Sequence, residues 1–259
     1  MFDLLDQIGI ALDRNLLLAV LVFLRIGAAA ALMPGIGETF IPVRVRLAMA
    51  LALTARAAPI IGADAVPAVV DVPRFVGLAL GEAAIGLVIG IAVRMLVMAL
   101  QYAGTIAAQS TALAQMAGPA IAPEPMPAIG NTLLIAGLTL AMVLDLHIKA
   151  ILSLVGSYEV LGMGAVLVRE DVAWFGVEIG KAAFELAFSL AAPFILAAFL
   201  YNVALGLINR AMPQLMVAFV GAPVITGVTL VLLLLSAPVS LAIWHAALDA
   251  RLGQPLGLP

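Results

Sequence analysis

The sequence predicts an all-α, integral membrane-type protein of about six apolar helices, built as a four-helix unit followed by a two-helix hairpin. Three observations carry this reading. First, 65% of the 259 residues are hydrophobic and only 10% are charged, with a mean hydropathy of +1.23. A soluble domain carries roughly 25% charged residues, so this chain cannot cover a water-facing surface of its size, and a soluble enzyme is excluded. Second, six stretches approach the ~20 apolar residues that a helix needs to cross a bilayer. Third, the charges inside apolar stretches all fall in the first four, which sets the last two apart as a separate element.

The stretches run as follows. The first, 16–33, contains Arg25. The second, 47–61, is short and contains Arg56. The third, 75–100, holds Glu82 and Arg94, and the fourth, 133–154, holds Asp145, His147 and Lys149. The fifth, 186–208, and the sixth, 215–243, have no charge outside the connection between them, which carries Arg210. That connection, Asn209-Arg210-Ala211-Met212-Pro213-Gln214, is short and has turn residues, so its two helices are expected to be antiparallel neighbours. The division expected is 1–165 for the four-helix unit and 166–259 for the hairpin. The fifth helix has a possible cap at Asp171 and helical spacing from Val172 onward. At that length it either breaks near Pro193 or stands partly outside the bilayer. Lys and Arg between the stretches divide five (Arg14, Arg74, Arg169, Lys181, Arg251) against three (Arg44, Arg46, Arg210). That bias is too small to assign an orientation by the positive-inside rule. The start of the chain is acidic (Asp3, Asp6, Asp13), unlike a cleaved secretory signal, so the first stretch is expected to be retained.

The connection 101–130 stands out. It has no Lys or Arg and one acidic residue, Glu124. It opens on small and polar residues and ends in Pro119, Pro123, Pro125 and Pro127. Prolines stop a helix, and connections of this length are usually functional or disordered. This one is too apolar for ordinary disorder. It reads either as a loop packed on the protein or as one lying in a cavity or pore.

Few residues suggest chemistry. There are no cysteines and two histidines, which excludes disulfides, thiolate sites and a three-histidine metal site within the chain. No phosphate loop, metal motif or dinucleotide fingerprint is present, and no basic run points to nucleic acid. No catalytic residue, cofactor or metal is expected. The third stretch carries two small-residue pairs, Gly77/Gly81 and Gly86/Gly90, each at i,i+4. Such pairs let helix backbones approach closely. At 100° per residue Gly77 and Gly86 face opposite ways, which suits a helix sandwiched between neighbours. A charge at a helix centre in lipid costs about 2.5–3.5 kcal/mol on insertion scales, so pairing or burial is expected for each. Asp145 and Lys149 at i,i+4 are placed to pair with each other. A proton relay through Asp145 and His147 is the alternative, but residues two apart face different ways. Glu82 points toward the Gly86/Gly90 strip, and Arg25, Arg56 and Arg94 read as interface ion-pair partners.

Several of these segments form a recognisable series. "FLRIGAAAALMPGIGETFIPVRVRLAMALAL", with Arg25, Pro34-Gly35, Pro42, Arg44 and Arg46, resembles the opening of the FliR family of flagellar and type III secretion export-gate membrane proteins. "GEAAIGLVIG", with Glu82 and Gly86, and "YAGTIAAQ" resemble further segments of that family. "YNVALGLINRAMPQLMVAFVGAPVITG" is the most specific match, through Arg210, Pro213, Gln214, Gly221 and Pro223. The chain departs from the family pattern at Thr105 and Met216, and in its reduced Asp145-Leu146-His147 segment.

The resemblance implies a bacterial inner (cytoplasmic) membrane protein of the flagellar basal body. It would form the export gate with FliP-like and FliQ-like subunits, and work with FlhB-like and FlhA-like export subunits. The four-helix unit would correspond to the FliP-like part and the hairpin to the FliQ-like part. Such subunits wind into a helical cone around a closed pore, through which unfolded flagellar proteins pass. The central loop around Gln109, Gln115, Met116, Pro119, Pro123 and Pro125 would be the pore plug, and lipid a further neighbour. An injectisome homologue of the same gate is the first alternative. An independent secondary transporter is the second, although no repeat between the halves supports it. A membrane enzyme using Asp145, His147 and Glu82 lacks the geometry for shared chemistry.

Overall fold

The computed structural model describes residues 14–38, 41–67, 71–112, 128–165, 169–212, 217–254 and 256. They are helical almost throughout, in seven α-helices: α1 (Arg14–Leu32), α2 (Val43–Ile61), α3 (Val72–Ala112), α4 (Ala128–Val143), α5 (Leu146–Val160), α6 (Arg169–Ala211) and α7 (Val217–Gly253), with a short 3-10 turn at Ala63–Ala65. The helix boundaries follow local chemistry. α1 stops just before Pro34 and Gly35, whose φ of 81° is easy for glycine and costly for other residues. α2 starts after Pro42 and ends at Gly62, which takes φ 79° and returns its N–H to the Ala58 carbonyl. The side chain of Asp71 accepts a hydrogen bond from the Arg74 N–H at 3.1 Å and so caps α3. α6 has Glu170 and Asp171 in its first turn and Arg210 in its last, the arrangement a helix dipole favours.

Two expectations about helices are corrected. The fourth stretch is not one helix. It is broken at Leu144 and Asp145, and α4 and α5 meet there at a bend of 73°. Asp145 takes the left-handed conformation, φ 62° and ψ 35°, which Asp tolerates better than most residues. The third helix also runs past residue 100 to Ala112, so the first part of the 101–130 connection is helix. Its small residues allow this, and its hydroxyls bond back along the helix. Thr105 donates to the Gln101 carbonyl at 2.8 Å and Thr111 to that of Ala107 at 3.1 Å. α6 passes through Pro193 without a break.

α3, α6 and α7 have 41, 43 and 37 residues. As helices they are about 55–65 Å long, well beyond the ~30 Å hydrocarbon core. Among the described residues four helices (α1, α3, α6 and α7) are long and apolar enough to cross a membrane, or five spans if the bent α4–α5 pair counts as one.

The chain packs as two compact units that do not follow chain order. One comprises residues 1–95, 142–179 and 248–259, and the other 96–141 and 180–247. In the first, α1 lies against α2 and the start of α3. Leu21, Val22, Ile26, Ala29, Ile85 and Ile89 form the centre, each at most 1% exposed. In the second, Trp244 is fully buried and donates its Nε1–H to the Leu96 carbonyl at 2.8 Å, while Tyr102 stacks on Phe184 with ring centroids 5.6 Å apart. Small residues admit these contacts. A side chain on Gly137 would strike Leu100, and one on Gly104 would strike the Gly130 backbone.

Candidate functional site

The most organised group of polar side chains lies in the first unit, on α1, α3 and α5. Arg25 and Glu82 are both fully buried. Arg25 donates through Nε to Glu82 Oε2 at 2.7 Å and through Nη2 to Oε1 at 3.1 Å, a two-pronged ion pair. Its remaining donors reach Ser157 Oγ at 3.0 Å and the Leu161 carbonyl at 3.0 Å. Tyr158 completes the group. Its hydroxyl donates to Glu82 Oε2 at 3.1 Å, and its ring lies 3.6 Å from the Arg25 guanidinium carbon. The guanidinium is thus paired, hydrogen-bonded and stacked at once, which is how a buried charge avoids its desolvation penalty.

Glycine makes this approach possible. A Cβ on Gly86 would fall on the Arg25 carbonyl oxygen. One on Gly90 would lie 2.9 Å from the Ala29 carbonyl oxygen and 3.0 Å from the Leu32 Cβ. Gly86 and Gly90 follow Glu82 by four and eight residues, on the same face of α3. The backbones of α1 and α3 therefore touch just where the ion pair crosses between them. The other glycine pair behaves differently. Gly77 has nothing within 4 Å, and Gly81 only the Ala165 carbonyl oxygen at 3.7 Å.

Lys149 forms a further ion pair. It does not meet Asp145, because the helix break moves Asp145 out of register and leaves it exposed. Its ammonium instead contacts both carboxylate oxygens of Asp249, at 2.7 and 2.8 Å, tying α5 to the last turns of α7. Both side chains are over a third exposed, so the pair is worth only about 0.2–1 kcal/mol. Exchanging the two charges, Lys149→Asp with Asp249→Lys, is expected to restore the thermal stability that either single reversal loses. Exchange between positions 145 and 149 is expected to restore none.

The remaining expected residues are dispersed. Gln109 is exposed on α3, Arg210 is exposed in the last turn of α6, Gly221 falls within α7, and Pro223 is exposed inside α7. Gln115, Met116, Pro119, Pro123, Pro125, Pro213 and Gln214 lie outside the described residues. Arg94 directs Nη1 at the Leu32 carbonyl at 3.4 Å, and Arg56 is exposed. Ser157, Tyr158 and Asp249 were not anticipated. A signal for Asp249 was available, since it is the first formal charge after Arg210.

Chemically the Arg25 cluster is closed. Its carboxylate oxygens accept from Arg25 and Tyr158 and face no nucleophile, so it acts as a clip between helices. Among the described residues no three His, Asp or Glu side chains gather as metal ligands.

The comparisons with known proteins agree with one another. A family model for bacterial export proteins, family 1, matches residues 16–250. The chain is similar to the flagellar biosynthetic protein FliR of Caulobacter vibrioides, 36% identical over 222 residues, which cover 84% of this chain and 88% of that protein. Proteins of the same name from Bacillus subtilis and Escherichia coli are 27% and 29% identical. The matches cover 83% and 77% of this chain, and 84% and 76% of those relatives.

Proposed function

The chain belongs to the bacterial export proteins, family 1, and we propose that it is a subunit of the flagellar type III secretion export gate. In this reading it forms, with FliP-like and FliQ-like partners, the pore through which unfolded flagellar proteins leave the cell. FlhB-like and FlhA-like subunits act beside it in the inner membrane. The observation that carries the proposal is the 36% identity to a flagellar biosynthetic protein along nearly the whole of both chains.

The surface is in keeping with such an assembly. In the bilayer-length windows of α1 and α3, 44% and 56% of residues are buried, against 17% in α6 and in α7. α6 exposes Phe184, Phe188, Leu196, Phe199, Leu200 and Leu207, each at least 60%. An apolar surface of that extent is the mark of a lipid or protein contact. We assign the part from 166 onward to the FliQ-like hairpin and the part up to 165 to the FliP-like unit. Arg251 near the end of α7 lies 5.6 Å from the Phe175 ring near the start of α6, as antiparallel neighbours require.

The test is complementation. Expression of this chain in a Caulobacter vibrioides strain lacking its FliR is expected to restore swimming and the release of flagellar filament protein. Stable expression in the membrane with no filament protein outside the cell would contradict the assignment. The segment around 115–125 is assigned as the pore plug. Its deletion is expected to make cells carrying the assembled gate leak small solutes, measured as dye entry, and an unchanged barrier would remove that role.

A further inference from the structure

A cleft of about 540 Å³ opens between α5 and the end of α7, within the first compact unit. That volume is in the range of small-molecule sites. Its lining is divided by chemistry. Lys149, Ser153, Glu159, Asp249 and Gln254 supply polar groups, and Leu152, Val160, Leu252 and Leu256 supply an apolar wall. The α5 residues share one face, at helical spacing. The ion pair of Lys149 with Asp249 forms part of the polar lining.

One of the lining side chains is unsatisfied. Ser153 is 5% exposed, and its hydroxyl has no hydrogen-bond partner. A buried Ser or Thr hydroxyl on a helix can bond back to the carbonyl four residues earlier, as Thr54 and Thr229 do here. A buried polar atom left without a partner calls for an explanation, and a missing ligand is one.

We propose that this cleft binds a zwitterionic aminophospholipid through its headgroup. Three observations select that class. The lining is amphipathic, as a headgroup joined to acyl chains requires. Asp249 is the first formal charge on α7 after a run of uncharged residues longer than a bilayer span, so the apolar helix that leads to the cleft is long enough to cross a bilayer. The charges are one lysine against two carboxylates. A phosphate takes the third N–H of Lys149 and the hydroxyl of Ser153, one turn along the same face of α5, and a primary ammonium takes Glu159 farther along that face. A purely anionic headgroup meets two carboxylates with one lysine, and a quaternary ammonium has no N–H to donate.

The test is native mass spectrometry of the full chain, with whatever subunits accompany it, after delipidation and addition of dioleoyl lipids with phosphoethanolamine, phosphoglycerol or phosphocholine headgroups. One phosphatidylethanolamine is expected to remain bound under activation that strips the other two. Ser153→Leu puts a larger, apolar side chain into the lining and leaves the ion pair in place. It is expected to weaken retention at least about fivefold, the effect of one net hydrogen bond. Glu159→Gln, at an exposed position, is expected to narrow the preference over phosphatidylcholine without changing the helical circular dichroism signal. Equal retention of the three lipids, or unchanged retention in a folded Ser153→Leu variant, would overturn the proposal. So would a Ser153→Cys thiol, the only one in the chain, that stays shielded from maleimide after lipid removal, since a protein segment would then occupy the cleft. None of these outcomes bears on complementation, so this proposal and the export assignment fail separately.

Discussion

Glu82→Ala is expected to destabilise the protein by about 3–5 kcal/mol, the loss typical when one partner of a buried ion pair is removed. The reason is geometric. Arg25 is fully buried, and its guanidinium is held at 2.7 and 3.1 Å by Glu82. Without the carboxylate the charge keeps one hydroxyl, one carbonyl and an aromatic face, none of which neutralises it. Replacing both residues by apolar ones of similar volume, Arg25→Met with Glu82→Leu, is expected to recover most of the loss, because the desolvation cost disappears with the charges. The thermal midpoint of the detergent-solubilised chain, with its abundance in membranes, measures both. A double variant no better than Glu82→Ala would mean that the cluster does more than join helices.

The second large effect is expected at Gly86. An alanine there places its Cβ on the Arg25 carbonyl oxygen. The backbone carbonyl is fixed by its own helix, so α1 and α3 must separate, and the loss is expected at about 1–3 kcal/mol. Separation also stretches the Arg25–Glu82 bonds, so the two effects couple and do not add. Gly77→Ala on the same helix is the control. Gly77 has open space around it, and replacing glycine in an exposed helix is expected to stabilise by roughly 0.5–1 kcal/mol. Opposite signs in the two melting shifts are the result that checks the packing.

Much of the helical skeleton was legible because hydrophobic runs are a local signal. The first stretch, 16–33, lies almost on α1, and the spacing of Glu82, Gly86 and Gly90 puts charge and small residues on one face. What local pattern misses is where the backbone departs from regularity without a breaker residue. The α4–α5 break falls in Met-Val-Leu-Asp-Leu-His, with no proline or glycine, and turns on a left-handed Asp145. The Asp145–Lys149 pairing failed for that reason. The true partner of Lys149 lies 100 residues away, beyond any i,i+4 rule. Ser157 and Tyr158 were hidden in the same way, since their role exists only once α5 is folded against α1 and α3. The alanines and glutamines of 101–112 favour the helix that extends α3 to Ala112, but Gly104, Thr105, Ser110 and Thr111 lower that preference and obscured it.

In the proposed gate the exposed apolar faces of α6 and α7 meet sister subunits as well as lipid. The most direct measurement is the mass and composition of the particle that forms around this chain when it is expressed in its own host and extracted in mild detergent. A discrete complex is predicted, with several small helical membrane proteins in fixed ratio to it, and loss of stability on their removal. Recovery of a lone, well-folded chain that still supports secretion after transfer to cells devoid of those companions would contradict it.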